Sequence, residues 1–190
     1  AIDFMTAFLT VLLALLLHAA VNVLNDYFDS NNGTDSLNSS RIYPFTGGSR
    51  FIQNGILTAV QMRNYGYLLL GGVVLGGLIF AIKVGFGLLW IGMFGVLLGW
   101  AYSASPLKLN ARGLGEVCVL LGFLGVVVGA DYVQRQAFSI MPIVVGLSYA
   151  LLVTNLLFIN QFPDRAADAI AQKNTIVVRF PLSIVVWVYA

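Results

Sequence analysis

The chain has 190 residues, of which 59% are hydrophobic and only 9% charged, with a formal net charge of +2. A mean hydropathy of +0.88, with a charged fraction far below the rough quarter of soluble domains, excludes a soluble globular protein and predicts an integral membrane protein. The small net charge, with bases interleaved among acids, excludes a nucleic-acid surface, and the single cysteine, Cys118, excludes an internal disulfide or a cysteine-based metal centre.

Crossing a bilayer core takes about 20 apolar residues as a helix. The sequence predicts five such runs, at 4–25, 64–82, 86–102, 114–134 and 138–161, and a sixth that starts near 182. The expected architecture is an all-α integral membrane bundle in a single domain. The first run has no basic n-region, is longer than a signal-peptide core and leads into Asn and Asp, so it is a span rather than a cleaved leader. The missing initiator methionine and the unfinished last run predict an internal piece of a larger membrane protein. Glycine pairs at four-residue spacing, Gly72 with Gly76, Gly95 with Gly99 and Gly125 with Gly129, predict close helix packing.

Alternating the spans places the loops after the first, third and fifth runs on one side. Those loops carry Arg41, Arg50, Arg63, Lys108, Arg112, Arg165, Lys173 and Arg179, leaving Lys83 and Arg135 opposite. The positive-inside rule makes the basic side cytoplasmic, and the expected location is the inner membrane of a bacterium or archaeon. Asp26, Asp29, Asp35, Glu116, Asp164 and Asp168 share that side, whereas Asp3 and Asp131 do not.

Two acidic patches stand out. In "NVLNDYFDSNNGTD", Asn22, Asn25, Asp26 and Asp29 recur at helical spacing at the end of the first run, and Asn31, Asn32 and Gly33 favour a turn that folds Asp35 back. In "NQFPDRAADAIAQKNT", Asn160, Asp164 and Asp168 lie at i, i+4 and i+8, with Pro163 where a helix starts or kinks and Lys173 just beyond. Carboxylates this close raise one another's pKa unless a cation lies between them. Oxygen ligands with no nearby His or Cys favour Mg²⁺, which takes one or two carboxylates and completes its shell with phosphate oxygens. The pattern therefore predicts a site for Mg²⁺ and a diphosphate, with Arg and Lys neutralising the leaving group.

At these residues the sequence resembles the UbiA superfamily of intramembrane prenyltransferases, whose signatures are NDxxDxxxD and DxxxD. Asn25, Asp26 and Asp29 match the first, and Asp164 and Asp168 the second. Gly33 stands where the first signature has its last Asp, and the GxD ending at Asp35 is similar to the branch that prenylates 1,4-dihydroxy-2-naphthoate for menaquinone. "PFTGGSRFIQNGIL", "YSASPLKLNARGLGE", "GADYVQ" and "DRAADAIAQKNTIVVR" resemble blocks of that branch in the same order, although Gln172 stands before Lys173 where the branch has Gly. The resemblance implies a nine-helix fold, of which this chain would hold the second helix to the start of the seventh.

It also implies Mg²⁺-dependent transfer of a polyprenyl group from its diphosphate to an aromatic acceptor within the bilayer. Asp26, Asp29 and Asp35 would hold one Mg²⁺, and Asp164 and Asp168 another. Arg50, Lys108 and Lys173 would bind the departing diphosphate, with Asn25 and Asn160 orienting ligands. Tyr102 would offer an electron-rich face to the allylic cation, and the isoprenoid tail would lie among the apolar helices.

Plainer roles are expected elsewhere: a structural hydrogen bond for His18, an Arg112–Glu116 pair, a helix-end position for Asp131, and an interfacial aromatic belt of Trp90, Trp100, Tyr132 and Tyr102 itself. A CDP-alcohol phosphotransferase would need a DGxxAR motif, which is missing here. A transporter would place acids at mid-bilayer, whereas these stay at one face. A scaffold that lost activity would not need its acids. Homogentisate, 4-hydroxybenzoate, haem, chlorophyllide and glyceryl phosphate remain alternative acceptors within the superfamily.

Overall fold

The computed structural model describes residues 2–189, which are helical throughout apart from turns and loops. The helices are α1 (Phe4–Asn32), α2 (Thr34–Leu37), α3 (Ala59–Val84), α4 (Gly87–Ser103), α5 (Gly115–Arg135), α6 (Met141–Ile170), α7 (Ile176–Arg179) and α8 (Leu182–Tyr189), with a 3-10 turn at Leu109–Arg112. Helices α1, α3, α5 and α6 are each long and apolar enough to cross a membrane. Helix α4 has 17 residues, about 26 Å at 1.5 Å per residue, the short end of what spans a bilayer core.

The predicted runs mark the helices but not their ends. Helix α1 continues past 25 through Asp26 and Asp29, because Asn and Asp at its end weaken a helix without breaking it; it stops where Gly33 takes a left-handed conformation at φ 83°, which leaves Asp35 to α2. Helix α3 begins at Ala59 rather than 64, nucleated by a capping box in which Thr58 and Gln61 exchange hydrogen bonds. Helix α6 runs through Pro163 to Ile170, so Pro163 neither starts nor ends it. At the other terminus of α1, the Asp3 carboxylate accepts from the amides of Met5 and Thr6 at 3.0 and 3.1 Å.

Helix α1 packs most extensively on α3, and α5 on α6. Glycine permits some of these approaches: a Cβ on Gly76 would lie 2.8 Å from Leu13, and one on Gly99 2.6 Å from Val21. Gly72 and Gly125 face open space instead, so the expected glycine packing holds for only part of each of those pairs. An apolar cavity of about 440 Å³ remains between α1, α3, α4 and α5, bordered by Leu13, Leu17, Gly92 and Gly125.

The connections sort to two ends of the bundle. At one, Lys83 approaches Asp3 at 3.6 Å, Gln134 donates to the Thr6 hydroxyl at 2.9 Å, and Asp131 pairs with Arg135 at 3.7 Å. Tyr132, expected in an interfacial belt, is buried there instead; its hydroxyl accepts from the Gly87 amide at 3.0 Å and so ties α5 to the start of α4. The other end gathers the segments 33–58, 104–114 and 171–175, and with them the acids.

Candidate active site

The acid-bearing end is built from four parts of the chain. Helix α1 supplies Asn25, Asp26 and Asp29, α2 supplies Asp35, the end of α6 supplies Asp164 and Asp168, and the loop after α6 supplies Lys173. Asp29, Asp35 and Asp168 are buried, which a carboxylate tolerates only with partners.

Lys173 joins the two patches. Its ammonium donates to Asp29 Oδ2 at 2.9 Å and lies 3.9 Å from Asp168 Oδ1. It is delivered there by the turn that closes α6: Gln172 adopts φ 57°, and the Lys173 amide donates to the Asp168 carbonyl at 2.8 Å. Burial alone would lower the Lys173 pKa, but Asp29 and Asp168 outweigh it and hold the ammonium above its usual value.

The remaining carboxylates are tied individually. Asp26 Oδ2 accepts from the Ser49 amide at 3.1 Å. Asp35 Oδ2 accepts from Gln53 at 3.3 Å, and Asp164 Oδ1 from Asn38 at 2.6 Å. Arg50, at φ 59°, donates to the Asn38 carbonyl at 3.2 Å. Asn38 therefore links the candidate diphosphate ligand Arg50 to the second patch. Asp35, which lies outside the membrane-spanning helices, is pushed up to about 7 by burial and then by Asp29 and Asp26, with Lys173 and Arg50 opposing.

Gly48 sits between Asp26 and Asp35. At φ 65°, a Cβ there would stand 2.8 Å from Asp26 Oδ1 and 3.5 Å from Asp35 Oδ1. The glycine thus leaves a space that oxygens from two carboxylates border.

Asn25 Oδ1 accepts from Ser103 at 2.7 Å and from Asn110 at 3.2 Å, while its amide donates to Asp29 Oδ2 at 3.1 Å. Tyr102, half-buried at the end of α4, lies in the same neighbourhood, with its ring over Gly115. Asn160 is half-buried on α6 one turn before Asp164. Lys108 stands apart: it is exposed, at φ 44° just before the 3-10 turn. Asn22, on the same stripe of α1 as the acids, pairs with His18 at 3.0 Å.

Two expectations are corrected. Arg112 does not pair with Glu116: its guanidinium donates to the Pro106 carbonyl at 2.8 Å, while Glu116 is buried and accepts from Gln161 at 2.7 Å. The loop geometry turns Arg112 back on its own segment, and Glu116 already faces α6 from the first turn of α5. Nor do three carboxylates meet as a ready metal cage: among the described residues no group of three metal-ligating side chains converges, and Asp26, Asp29, Asp35 and Asp164 each accept from a donor of their own.

The donor set nonetheless fits Mg²⁺. It is all oxygen, it needs only one or two carboxylates per ion when phosphate and water complete the shell, and Asp168 Oδ1 is buried without a hydrogen-bond partner. Asn38, Gly48, Ser49, Gln53, Ser103 and Asn110 were not singled out from the sequence. Their signal was the blocks "PFTGGSRFIQNGIL" and "YSASPLKLNARGLGE", which hold all of them except Asn38.

Comparison with known proteins places the sequence among prenyltransferases. The chain is 31% identical over 90% of its length to a 1,4-dihydroxy-2-naphthoate octaprenyltransferase of Haemophilus influenzae, covering 56% of that protein. It is 30% identical over 93% of its length to one of Escherichia coli, covering 58% of it. It is also 30% identical over 93% of its length to a 2-carboxy-1,4-naphthoquinone phytyltransferase of Synechocystis, covering 54% of it. The chain thus spans about half the length of the curated relatives it matches. No solved structure matches it. The model of the UbiA prenyltransferase family matches residues 1–190, and the chain belongs to that family.

Proposed function

We propose that the protein containing this chain transfers a polyprenyl group from its diphosphate to 1,4-dihydroxy-2-naphthoate, in a Mg²⁺-dependent step of menaquinone biosynthesis. The observation that carries this reading is Lys173, held between Asp29 and Asp168 at one end of an apolar bundle. Two carboxylate walls around a half-buried ammonium suit a polyanion that arrives with its own divalent cations. The names of the relatives favour a naphthalene-type acceptor, and differ among themselves in the prenyl group.

In this reading one Mg²⁺ would be held among Asp26, Asp29 and Asp35, by one or two of them at a time, and a second by Asp164 and Asp168. Bound there, the ions supply Lewis-acid stabilisation of the diphosphate as its allylic C–O bond breaks. Lys173 and Arg50 bind the departing diphosphate oxygens, and Lys108, which stands apart from the cluster in the fold, is the third candidate for that role. Asn25 and Asn160 orient the carboxylates. Tyr102 turns its ring toward the allylic carbon, where a π face stabilises positive charge. The apolar helices exclude water, so the cation meets the acceptor ring rather than solvent, and the ring carbon that takes the prenyl group releases its carboxylate as CO₂. The acid-bearing end faces the cytoplasm, consistent with the basic residues of its loops.

The test is prenyl transfer by the full-length protein in detergent, with radiolabelled prenyl diphosphate and a panel of aromatic acceptors, with Mg²⁺ or with chelator. A lipid-soluble product from the naphthoate, lost with chelator and in Asp29→Ala and Asp168→Ala, is expected. A product from a different acceptor alone would overturn the choice of acceptor. No product from any acceptor would overturn the activity.

A further inference from the structure

Asn25 is held by groups from a different part of the chain. Its Oδ1 accepts from the Ser103 hydroxyl at 2.7 Å and from Asn110 Nδ2 at 3.2 Å, and both donors are buried. Asn110 Nδ2 also lies 3.4 Å from Ser103 Oγ, which closes a three-membered cluster between α1, α4 and the 3-10 turn. With two donors on its oxygen, the Asn25 amide can present only its N–H side to Asp29. Turned over, it would set its own donors against Asn110.

The consequence falls on Asp29. Its Oδ2 takes the Asn25 amide at 3.1 Å and the Lys173 ammonium at 2.9 Å. Its Oδ1 has Asn32 at 3.3 Å, a long contact from a residue exposed at the helix end. Of the two oxygens, Oδ1 is therefore the one with capacity left. The same 3-10 turn also reaches the second patch: the Ala111 carbonyl accepts from the Asn174 amide, next to Lys173, at 3.0 Å. One short turn thus touches both the amide that orients Asp29 and the loop that delivers its ammonium partner.

We propose that Ser103 and Asn110 are positioning residues for the divalent cation. They lock the Asn25 amide so that Asp29 keeps Oδ2 for Lys173 and offers Oδ1 to the metal. This rests on the metal role of Asp29 proposed above. Outer partners of metal ligands typically cost about 10- to 100-fold in metal affinity when removed.

The test is Mn²⁺ binding to the full-length protein in detergent, read by electron paramagnetic resonance, beside the Mg²⁺ concentration that gives half-maximal transfer. Ser103→Ala and Asn110→Ala are each expected to weaken Mn²⁺ about tenfold, by a lower bound from the same range. Ser103→Thr, which keeps the hydroxyl, should restore binding. In an Asn25→Ala background, Ser103→Ala should change nothing further, because the group it positions is gone. Near-native Mn²⁺ binding in Ser103→Ala and Asn110→Ala, with binding lost in Asp29→Ala, would overturn the positioning role and leave the metal site standing. Equal losses from Ser103→Ala with and without Asn25 would also overturn it. Unchanged binding in Asp29→Ala would remove the metal reading itself.

Discussion

Replacing Lys173 by Met removes the ammonium that joins Asp29 and Asp168 while keeping most of the side chain's volume. At separations of 2.9 and 3.9 Å, the two attractions are each about 4–6 kcal/mol at an effective dielectric near 20, before desolvation is subtracted. Removing one partner of a buried pair costs about 3–5 kcal/mol, and the lower figure is expected here, since a bereft carboxylate can take up a proton. Thermal unfolding of the full-length protein in detergent should therefore fall in Lys173→Met and be largely restored in Lys173→Arg. Added Mg²⁺ should raise the unfolding temperature more in Lys173→Met than in the wild type, because the cation then meets two carboxylates whose charge no ammonium offsets. Wild-type stability in Lys173→Met, or an identical Mg²⁺ response in the two proteins, would refute the view of Lys173 as an internal counter-ion.

Three further outcomes are expected. The Asp35 carboxyl titrates near 7 in the fold against about 3.9 unfolded, so the folded state holds its proton more tightly; its contribution to stability is full below about pH 4 and is lost as pH rises through 7. Divalent-cation affinity, measured by Mn²⁺ titration between pH 6 and 8, should rise over the same range, and Asp35→Asn should flatten the profile. Gly48→Ala drives a methyl to 2.8 Å from Asp26 Oδ1 at φ 65°, and transfer activity should fall at least tenfold with a stability loss of about 1–2 kcal/mol from the backbone alone. Gln172→Gly relieves a left-handed conformation at φ 57° and should raise stability by about 0.5–1 kcal/mol with activity retained, as read by unfolding and transfer assays.

The apolar runs and the acid spacings were legible because each depends on a local period. Asp29 and Asp168 face inward because 3.6 residues per turn put them on the same stripes as Asn25 and Asp164. Loops obey no such period, and there the sequence was a weaker guide. Nothing in the spacing of Gly48 shows that it lies between two carboxylates, since its partners are more than ten residues away. Glu116 and Arg112 are four apart and opposite in charge, the usual signature of a helical pair. Yet Gly113 interrupts them at φ 71°, placing them in different elements. Tyr132 looked interfacial by type and position, but a hydroxyl that can satisfy the Gly87 amide is worth more buried than at a membrane surface.

The joining of Asp29 to Lys173 spans 144 positions of sequence, which matters during synthesis. At about 5–20 residues per second, α1 emerges roughly 7–30 s before the lysine that balances it. During that interval Asp29 lacks the ammonium it meets in the fold, so it stays hydrated. The helices can enter the membrane in order, but the polar end can close only after α6 and the turn behind it have been made. The chain thus assembles its apolar frame first and its charge balance last.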